Sequence, residues 1–371
     1  VVAAVLDAGA DAVRIAPAQP LPQTQRALAA SFARGDLAAW PFDEAYAARA
    51  GDPRTLLPSA RSVICVAVAY ATPPARRPRG CGRVSNYAWS ADYHRRMRAL
   101  LGEAAARIDR LAGAGVTAIA CDTAPLAERA LAEFAGLGWI GKHTNLIVRG
   151  IGSFVFLGEI VTSLELAADG PLRTTCGSCT RCVDVCPTRA LRGDYTIDAT
   201  RCISDLTQLV GPIPRELRTL VGDWVWGCDL CQDVCPPTRR GRLGGSTFAP
   251  LDEQTRAPDL TALLRLRSGE FKRRYARTAL GWRGAAVLRR NAAVALGNGL
   301  DRAHVPALAA SLSTDPHPNV RGHAAWALGR IGSPRALGAL TAAQGSERDS
   351  WVLAEIAAAL EPHRPASVFG G

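Results

Sequence analysis

Cys176-Gly-Ser-Cys179-Thr-Arg-Cys182-Val-Asp-Val-Cys186-Pro187 is the stretch on which the reading of this chain turns. Its cysteines follow the spacing C-x2-C-x2-C-x3-C-P, which belongs to iron–sulfur sites. A second set follows: Cys202 alone, then Cys228, Cys231 and Cys235-Pro236. Eight of the eleven cysteines therefore fall between Cys176 and Cys235, enough thiolates for two 4Fe-4S clusters. Zinc sites reuse C-x2-C pairs, but four cysteines this close together are hard to fold around one tetrahedral ion. A disulfide framework belongs to short secreted chains, whereas this chain has 371 residues and crowds its cysteines into one segment.

The first run has the order of bacterial two-cluster ferredoxins, in which the fourth cysteine ligates the other cluster. That rule puts Cys176, Cys179, Cys182 and Cys235 on one cluster and Cys186, Cys202, Cys228 and Cys231 on the second. The second half departs from the ferredoxin template, because Cys202 stands 26 residues before Cys228 instead of three. The clusters are accordingly expected inside a larger, enzyme-like fold.

Composition agrees with a multi-part intracellular protein. The 48% hydrophobic content is inflated by alanine, and no run approaches the roughly 18 apolar residues of a membrane helix, so no membrane span is expected. No charged, apolar and cleavable leader pattern opens the sequence. Cys65, Cys81 and Cys121 are expected as packed free thiols, and free thiols beside clusters favour a reducing cytoplasm. The net charge of +11 points to a polyanionic partner. Between Arg265 and Arg290 nine basic residues face the single acid Glu270, a density that reads as a phosphate-backbone contact or as a solvated helix face.

Four divisions follow along the chain. Residues 1–170 alternate β-branched apolar runs (Ser62 to Ala69, Thr117 to Cys121, Asn145 to Val148, Phe154 to Val161) with helical stretches such as Tyr93 to Leu111 and Pro125 to Ala135, which is α/β or α+β patterning. Residues 171–240 form the ferredoxin-like two-cluster segment, and residues 241–284 hold a linker and the basic helical segment. Residues 285–371 are repetitive: Asn291-Ala-Ala-Val-Ala-Leu-Gly recurs as His323-Ala-Ala-Trp-Ala-Leu-Gly and more faintly from Glu355, each 32 residues on. A fixed period of this size predicts stacked helical pairs of the HEAT type, with Pro306, Pro318 and Pro334 at turns. The fold class is α+β with a C-terminal α-helical repeat array.

The densest part of the first region is Asp122-Thr-Ala-Pro-Leu-Ala-Glu-Arg129, then Gly138-Trp-Ile-Gly-Lys-His-Thr-Asn145 and Gly152-Ser-Phe-Val-Phe-Leu-Gly-Glu159. Asp122 ends an apolar strand, and the residues alone leave two readings: a cleft carboxylate, or the N-cap of a helix beginning near Pro125. The glycines of the Gly138 to Asn145 loop are too few and wrongly spaced for a Walker loop or a dinucleotide fingerprint, so nucleotide hydrolysis and NAD binding are not supported.

These blocks, together with the cysteine runs, Arg201-Cys-Ile-Ser204 and Gly211-Pro-Ile-Pro-Arg-Glu-Leu-Arg218, resemble the epoxyqueuosine reductase family over nearly the whole chain. The resemblance implies a cobalamin-dependent tRNA-modifying enzyme with an α/β corrinoid-binding domain similar to that of reductive dehalogenases, two 4Fe-4S clusters and C-terminal HEAT-like repeats. It implies reduction of epoxyqueuosine to queuosine in tRNA, with Asp122 as the proton donor to the epoxide oxygen. Burial beside the corrin is expected to keep that carboxyl protonated or readily reprotonated.

Asp122, Ser204, Asp229, Lys142 and Arg49 are the implied cobalamin contacts, although a helix-terminal lysine is the plain reading of Lys142. Asp92 in Ala91-Asp-Tyr-His94 matches an acidic position near the active site. Arg273, Arg274, Arg277, Arg289 and Arg290 are the implied contacts to the anticodon stem-loop. A cytoplasmic monomer served by an external low-potential donor such as ferredoxin or flavodoxin completes the expectation. Phe154, in place of the family's tryptophan, and Ser85 to Trp89 depart from the family pattern. The competing readings are another corrinoid oxidoreductase, such as a reductive dehalogenase, and an electron-transfer protein for corrinoid reactivation.

Overall fold

The computed structural model describes residues 1–37, 42–73, 77–113 and 115–363. Among them eight strands form: β1 (Ala12–Pro17), β2 (Ser62–Ala69), β3 (Arg83–Val84), β4 (Thr117–Ala120), β5 (Gly138–Ile140), β6 (Leu146–Val148), β7 (Val155–Thr162) and β8 (Trp224–Trp226). The residues pack into two compact units of discontinuous segments. The first comprises Val1–Pro74, Ser90–Cys202 and Asp229–Ala249, and the second Ala75–Trp89, Ile203–Cys228 and Pro250–Gly371. The sequential divisions expected from the sequence therefore do not coincide with the packing. Residues 364–371, the end of the expected repeat region, lie outside the described residues.

The first unit is built on a sheet of order β1-β2-β7-β4 with every neighbouring pair antiparallel. It is thus α+β, which corrects the α/β class expected for the corrinoid-binding domain, since that class implies parallel strands. β2 is buried at every position, as its unbroken run Ser62-Val-Ile-Cys-Val-Ala-Val-Ala69 requires of a strand with neighbours on both edges and cover on both faces. The helix Tyr93–Ala112 buries Met97, Leu100, Leu101, Ala104, Ala105 and Ile108, an i, i+3, i+4 stripe. Residues 241–249, expected as part of the linker, are folded onto this unit instead. Arg242 pairs with Asp11 at 2.5 Å, Gly244 donates its N–H to Ala71, and Phe248 meets Phe156 edge-on.

The second unit carries the repeats. Helices Ala285–Gly299, Pro318–Ile331 and Ser350–Leu360 follow the 32-residue period, with Val305–Thr314 and Pro334–Ser346 between them. The expected turn prolines sit in the first turns of helices, where a missing N–H is harmless. A Cβ on Gly297 would lie 2.8 Å from Ala327, and one on Gly329 would lie 2.7 Å from Ala359, so the repeated glycine lets successive helices touch.

Asn291, His323 and Glu355 hold the same place in the three successive repeats, and all are buried. Each grips the segment between Cys202 and Cys228. Asn291 donates to the Thr207 and Val225 carbonyls, His323 accepts from the Ile213 N–H, and Glu355 pairs with Arg215 and Arg218. This is why residues 203–228 belong with the repeats rather than with the rest of the cysteine segment.

Arg289 and Arg290 do not lie on the expected RNA-facing stripe. Arg289 is buried against Asp315 at 2.6 Å and donates to the Leu266 carbonyl. Arg290, 1% exposed, donates to the carbonyls of Leu206, Leu209 and Gly211 and to Asn291 Oδ1. Their donors are spent on protein acceptors, so neither is available to a phosphate. Burial pulls the Arg290 guanidinium down to about 9.

Candidate active site and cluster cavity

β4 delivers the chain to Asp122, which adopts a left-handed conformation with φ of 55°. A non-glycine residue there is held by its surroundings. Its N–H donates to the Glu128 carboxylate in a short contact, and the following Thr123 side chain accepts from Arg98. The nearby helix begins only at Glu128, with Ala127 preceding it, so Asp122 is not its N-cap.

The N-cap role belongs to Asp92, whose carboxylate accepts the His94 N–H at 3.1 Å and starts the helix Tyr93–Ala112. The same carboxylate oxygen lies 2.7 Å from His94 Nδ1, and His94 Nε2 lies 2.8 Å from Asp122 Oδ2. An imidazole flanked this closely by two carboxylates donates from both nitrogens, and it is then an imidazolium. Tyr93 stacks on Phe156 with centroids 4.2 Å apart and also on His94, fixing the ring in place.

The electrostatics reverse one expectation. The Asp122 side chain is 53% exposed rather than enclosed. The hydrogen bond from His94, outweighing desolvation, holds its carboxyl below the ordinary range. His94 is correspondingly raised, first by its bond to Asp122. The proton thus rests on His94. Behind the loop, burial lifts Glu159, which is wholly enclosed, well above the carboxylate range, and burial lifts Glu128 as well. Burial and the proximity of two acids favour the protonated form of the pair.

The cysteines of the first proposed set come together. A cavity of about 450 Å³ is lined by Cys176, Cys179, Cys182 and Cys235, together with Trp139, His143 and Ile147. The Cys182 thiol is pushed up to about 11 by burial and then by its neighbours Cys176 and Cys235. Burial also raises Cys235, with Cys176 and Cys179 adding to the effect. Among the described residues no three His, Cys, Asp or Glu side chains converge on a single-ion site. A four-thiol cavity of this size suits a cube of four irons, which holds its thiolates further apart than one ion does. Cys186 has Thr188 Oγ1 at 3.6 Å; it belongs with Cys202 and Cys231 to the first unit, and Cys228 to the second.

The other expected contacts are placed as follows. Lys142 donates to the Gly177 carbonyl at 2.9 Å, tying the β5–β6 turn to the cysteine loop. Arg49 is exposed in the last turn of Glu44–Ala50. Asp229, buried, precedes the helix Leu230–Asp233, and Ser204 lies beside Gln208 in the second unit. Of the basic stripe, Arg273 and Arg277 are exposed, while Arg274 is partly engaged by Glu270 and Gln254. Sequence reasoning missed His94, although its Asp-Tyr-His frame was visible. It also missed Trp282, which is 51% exposed beneath the Arg283 guanidinium at 3.6 Å.

Double-cluster thiol pattern, four-cysteine cavity and helical repeats together define an iron–sulfur oxidoreductase with a HEAT array. Comparison with known proteins agrees segment by segment. Residues 175–238 match a 4Fe-4S double cluster binding domain, residues 283–361 match HEAT repeats, and residues 51–123 match the family described as epoxyqueuosine reductase QueG, DUF1730. The epoxyqueuosine reductase of Bacillus cereus is 36% identical over 326 residues, covering 86% of each chain. The chain belongs to the epoxyqueuosine reductase family. Among solved structures, a selenomethionine-labelled epoxyqueuosine reductase superimposes with a TM-score of 0.91 at 33% identity, over 96% of both chains. Another, an epoxyqueuosine reductase with an epoxyqueuosine-modified tRNA-Tyr stem loop, gives a TM-score of 0.89 at 33% identity and the same coverage.

Proposed function

We propose that this protein reduces epoxyqueuosine to queuosine in tRNA, the last step of queuosine synthesis. Opening the epoxide to an alkene consumes two electrons and two protons and releases one water. The observation that carries the reading is the Asp92–His94–Asp122 array within a chain that aligns along almost its whole length with a relative holding the modified stem loop.

In this reading Asp122 hands a proton to the epoxide oxygen. His94 stores that proton, and Asp92 orients the ring through Nδ1. The reaction needs a second proton, which His94 draws from solvent after the first transfer, since the Asp122 side chain is open to water. The open Asp122 side chain leaves room for a bound substrate to reach it. Cobalamin, when bound, supplies the strongly reducing centre. Asp229 and Ser204 are the proposed contacts to it. Lys142 is better accounted for by its bond to Gly177, and Arg49 stays a proposal from the family resemblance alone.

Cys176, Cys179, Cys182 and Cys235 hold one cluster, as their shared cavity supports. The spacing rule assigns Cys186, Cys202, Cys228 and Cys231 to the other. Electrons come from a small low-potential carrier of the ferredoxin or flavodoxin kind. The enzyme works as a cytoplasmic monomer, and no described helix is long and apolar enough to cross a membrane.

The test is anaerobic reconstitution with iron, sulfide and cobalamin, followed by turnover of epoxyqueuosine-containing tRNA against a halogenated small acceptor. Reduction of the tRNA alone, lowered about 10²- to 10⁴-fold by Asp122→Asn, is the expected result. Reduction of only the halogenated compound, or full activity of the variant, overturns it.

A further inference from the structure

The β5–β6 hairpin also lines the cysteine cavity, and two of its side chains are unusual. Trp139 is 8% exposed and His143 is 3% exposed. Trp139 Nε1 and His143 Nε2 are both buried with no hydrogen-bond partner among the described residues. Buried N–H groups without acceptors are rare, because each forfeits its hydration with nothing in return.

The tautomer of His143 follows from its other nitrogen. Nδ1 accepts the Asn145 N–H at 3.2 Å, so in the neutral ring the proton sits on Nε2. Nε2–H is therefore a donor, as indole Nε1–H always is.

Local packing explains why the rings are where they are. Trp139, Ile147 and Cys235 form one apolar cluster against which Cys176 and Leu172 pack. Gly141 allows the turn to close, since a Cβ there would stand 2.9 Å from His143 Cε1 and 2.8 Å from Ile147 Cδ1. The two side chains that carry these orphaned donors thus line the same cavity as four thiols, and the acceptors this cavity is suited to hold are cluster sulfurs.

We propose that Trp139 Nε1–H and His143 Nε2–H donate hydrogen bonds to the sulfurs of the cluster held by Cys176, Cys179, Cys182 and Cys235, and so set its reduction potential. The inference rests on that ligand assignment. Each electron added to a cluster increases the negative charge on its sulfurs, so N–H donors stabilise the reduced form more than the oxidised one and raise the potential. Both are positioning residues for the electron supply.

The experiment is a redox titration, read by EPR, of reconstituted protein carrying Trp139→Phe, His143→Phe or both. One of the two cluster signals is expected to move to more negative potential in each single variant and further in the double, while the other signal stays in place. Unmoved potentials at full iron and sulfide content overturn the donor roles.

Should a variant fail to load iron, the unsubstituted protein decides the matter. Pulsed ENDOR in D2O is expected to show exchangeable protons coupled to the cluster, and protein labelled with 15N-histidine is expected to show a coupled nitrogen. Absence of both overturns the proposal. A Cys176→Ser protein that keeps both clusters unaltered overturns the ligand assignment itself, which separates that failure from failure of the donors.

Discussion

His94 Nε2 lies 2.8 Å from Asp122 Oδ2, and this contact joins residues 28 positions apart into one proton-holding unit. The helix Tyr93–Ala112 brings His94 to the end of β4 because its apolar stripe packs on the sheet beside that strand. Between the lowered titration of Asp122 and the raised titration of His94, the proton resides on the imidazole.

That arrangement fixes the sign of a pH dependence. A raised histidine loses its proton as pH climbs through its folded value, above the ordinary ~6.5. The ion pair's contribution to stability is full below that ordinary value and is lost over the same climb, while the Asp122 share is lost as pH falls through its lowered value. Turnover on epoxyqueuosine-containing tRNA is expected to fall on the alkaline side with the His94 titration. His94→Gln is expected to flatten that limb and lower kcat about 10²- to 10⁴-fold. A pH–rate profile of the variant superimposable on the parent's would remove His94 from the proton path.

Metal loading offers a second check. The cavity lined by Cys176, Cys179, Cys182 and Cys235 is expected to account for half of the iron. Cys182→Ala and Cys235→Ala should each lower bound iron from about eight atoms per chain to about four, with one of two EPR signals lost. Iron analysis and EPR after anaerobic reconstitution measure both. Loss of all iron from either variant would show that the two sites load as a single unit.

Much of this architecture could be read from residue order, and the exceptions have physical causes. The run Ser62 to Ala69 is uninterruptedly apolar and β-rich, so a central strand was legible. The 32-residue repeat was legible because packing demands alanine and glycine at fixed places, as at Gly297 and Gly329. What the repeat concealed was the use of its first position, where Asn291, His323 and Glu355 all turn inward to bind one segment. A buried arginine and an exposed one look alike in a basic stretch. Only the three-dimensional acceptors of Arg290 tell them apart. Asp122 was singled out, but its pairing with His94 depends on helix-to-sheet packing that no local pattern encodes.

The Arg218–Glu355 pair is almost fully enclosed, with oxygen and nitrogen 2.7 Å apart, and Arg215 adds a third member. Removing one partner of such a pair leaves an uncompensated buried charge, at a cost of roughly 3–5 kcal/mol. Glu355→Ala is expected to destabilise the repeats by that order in chemical denaturation. Replacing Arg218 and Glu355 together with Met and Leu should lose much less. Equal losses in the single and double variants would show that shape, not charge, governs the site.

The basic stripe separates into two classes by exposure, and RNA binding should separate with it. Arg273 and Arg277 present charge at the surface, and Trp282 offers an exposed ring in the same stretch of sequence. Neutralising a phosphate contact lowers affinity across sequences and reduces the salt slope by about one for each contact removed. Arg273→Gln with Arg277→Gln is therefore expected to weaken stem-loop binding and flatten its salt dependence by about two. Trp282→Ala should cost about 1–3 kcal/mol if a base stacks there, with the slope unchanged. Arg290→Met acts elsewhere: its guanidinium holds the Leu206 to Gly211 carbonyls, so the variant should lose stability while keeping the parent's salt slope. Fluorescence anisotropy at several salt concentrations, paired with a denaturation curve for each variant, distinguishes these outcomes. A reduced slope for a stably folded Arg290→Met would return that residue to the RNA-contacting face.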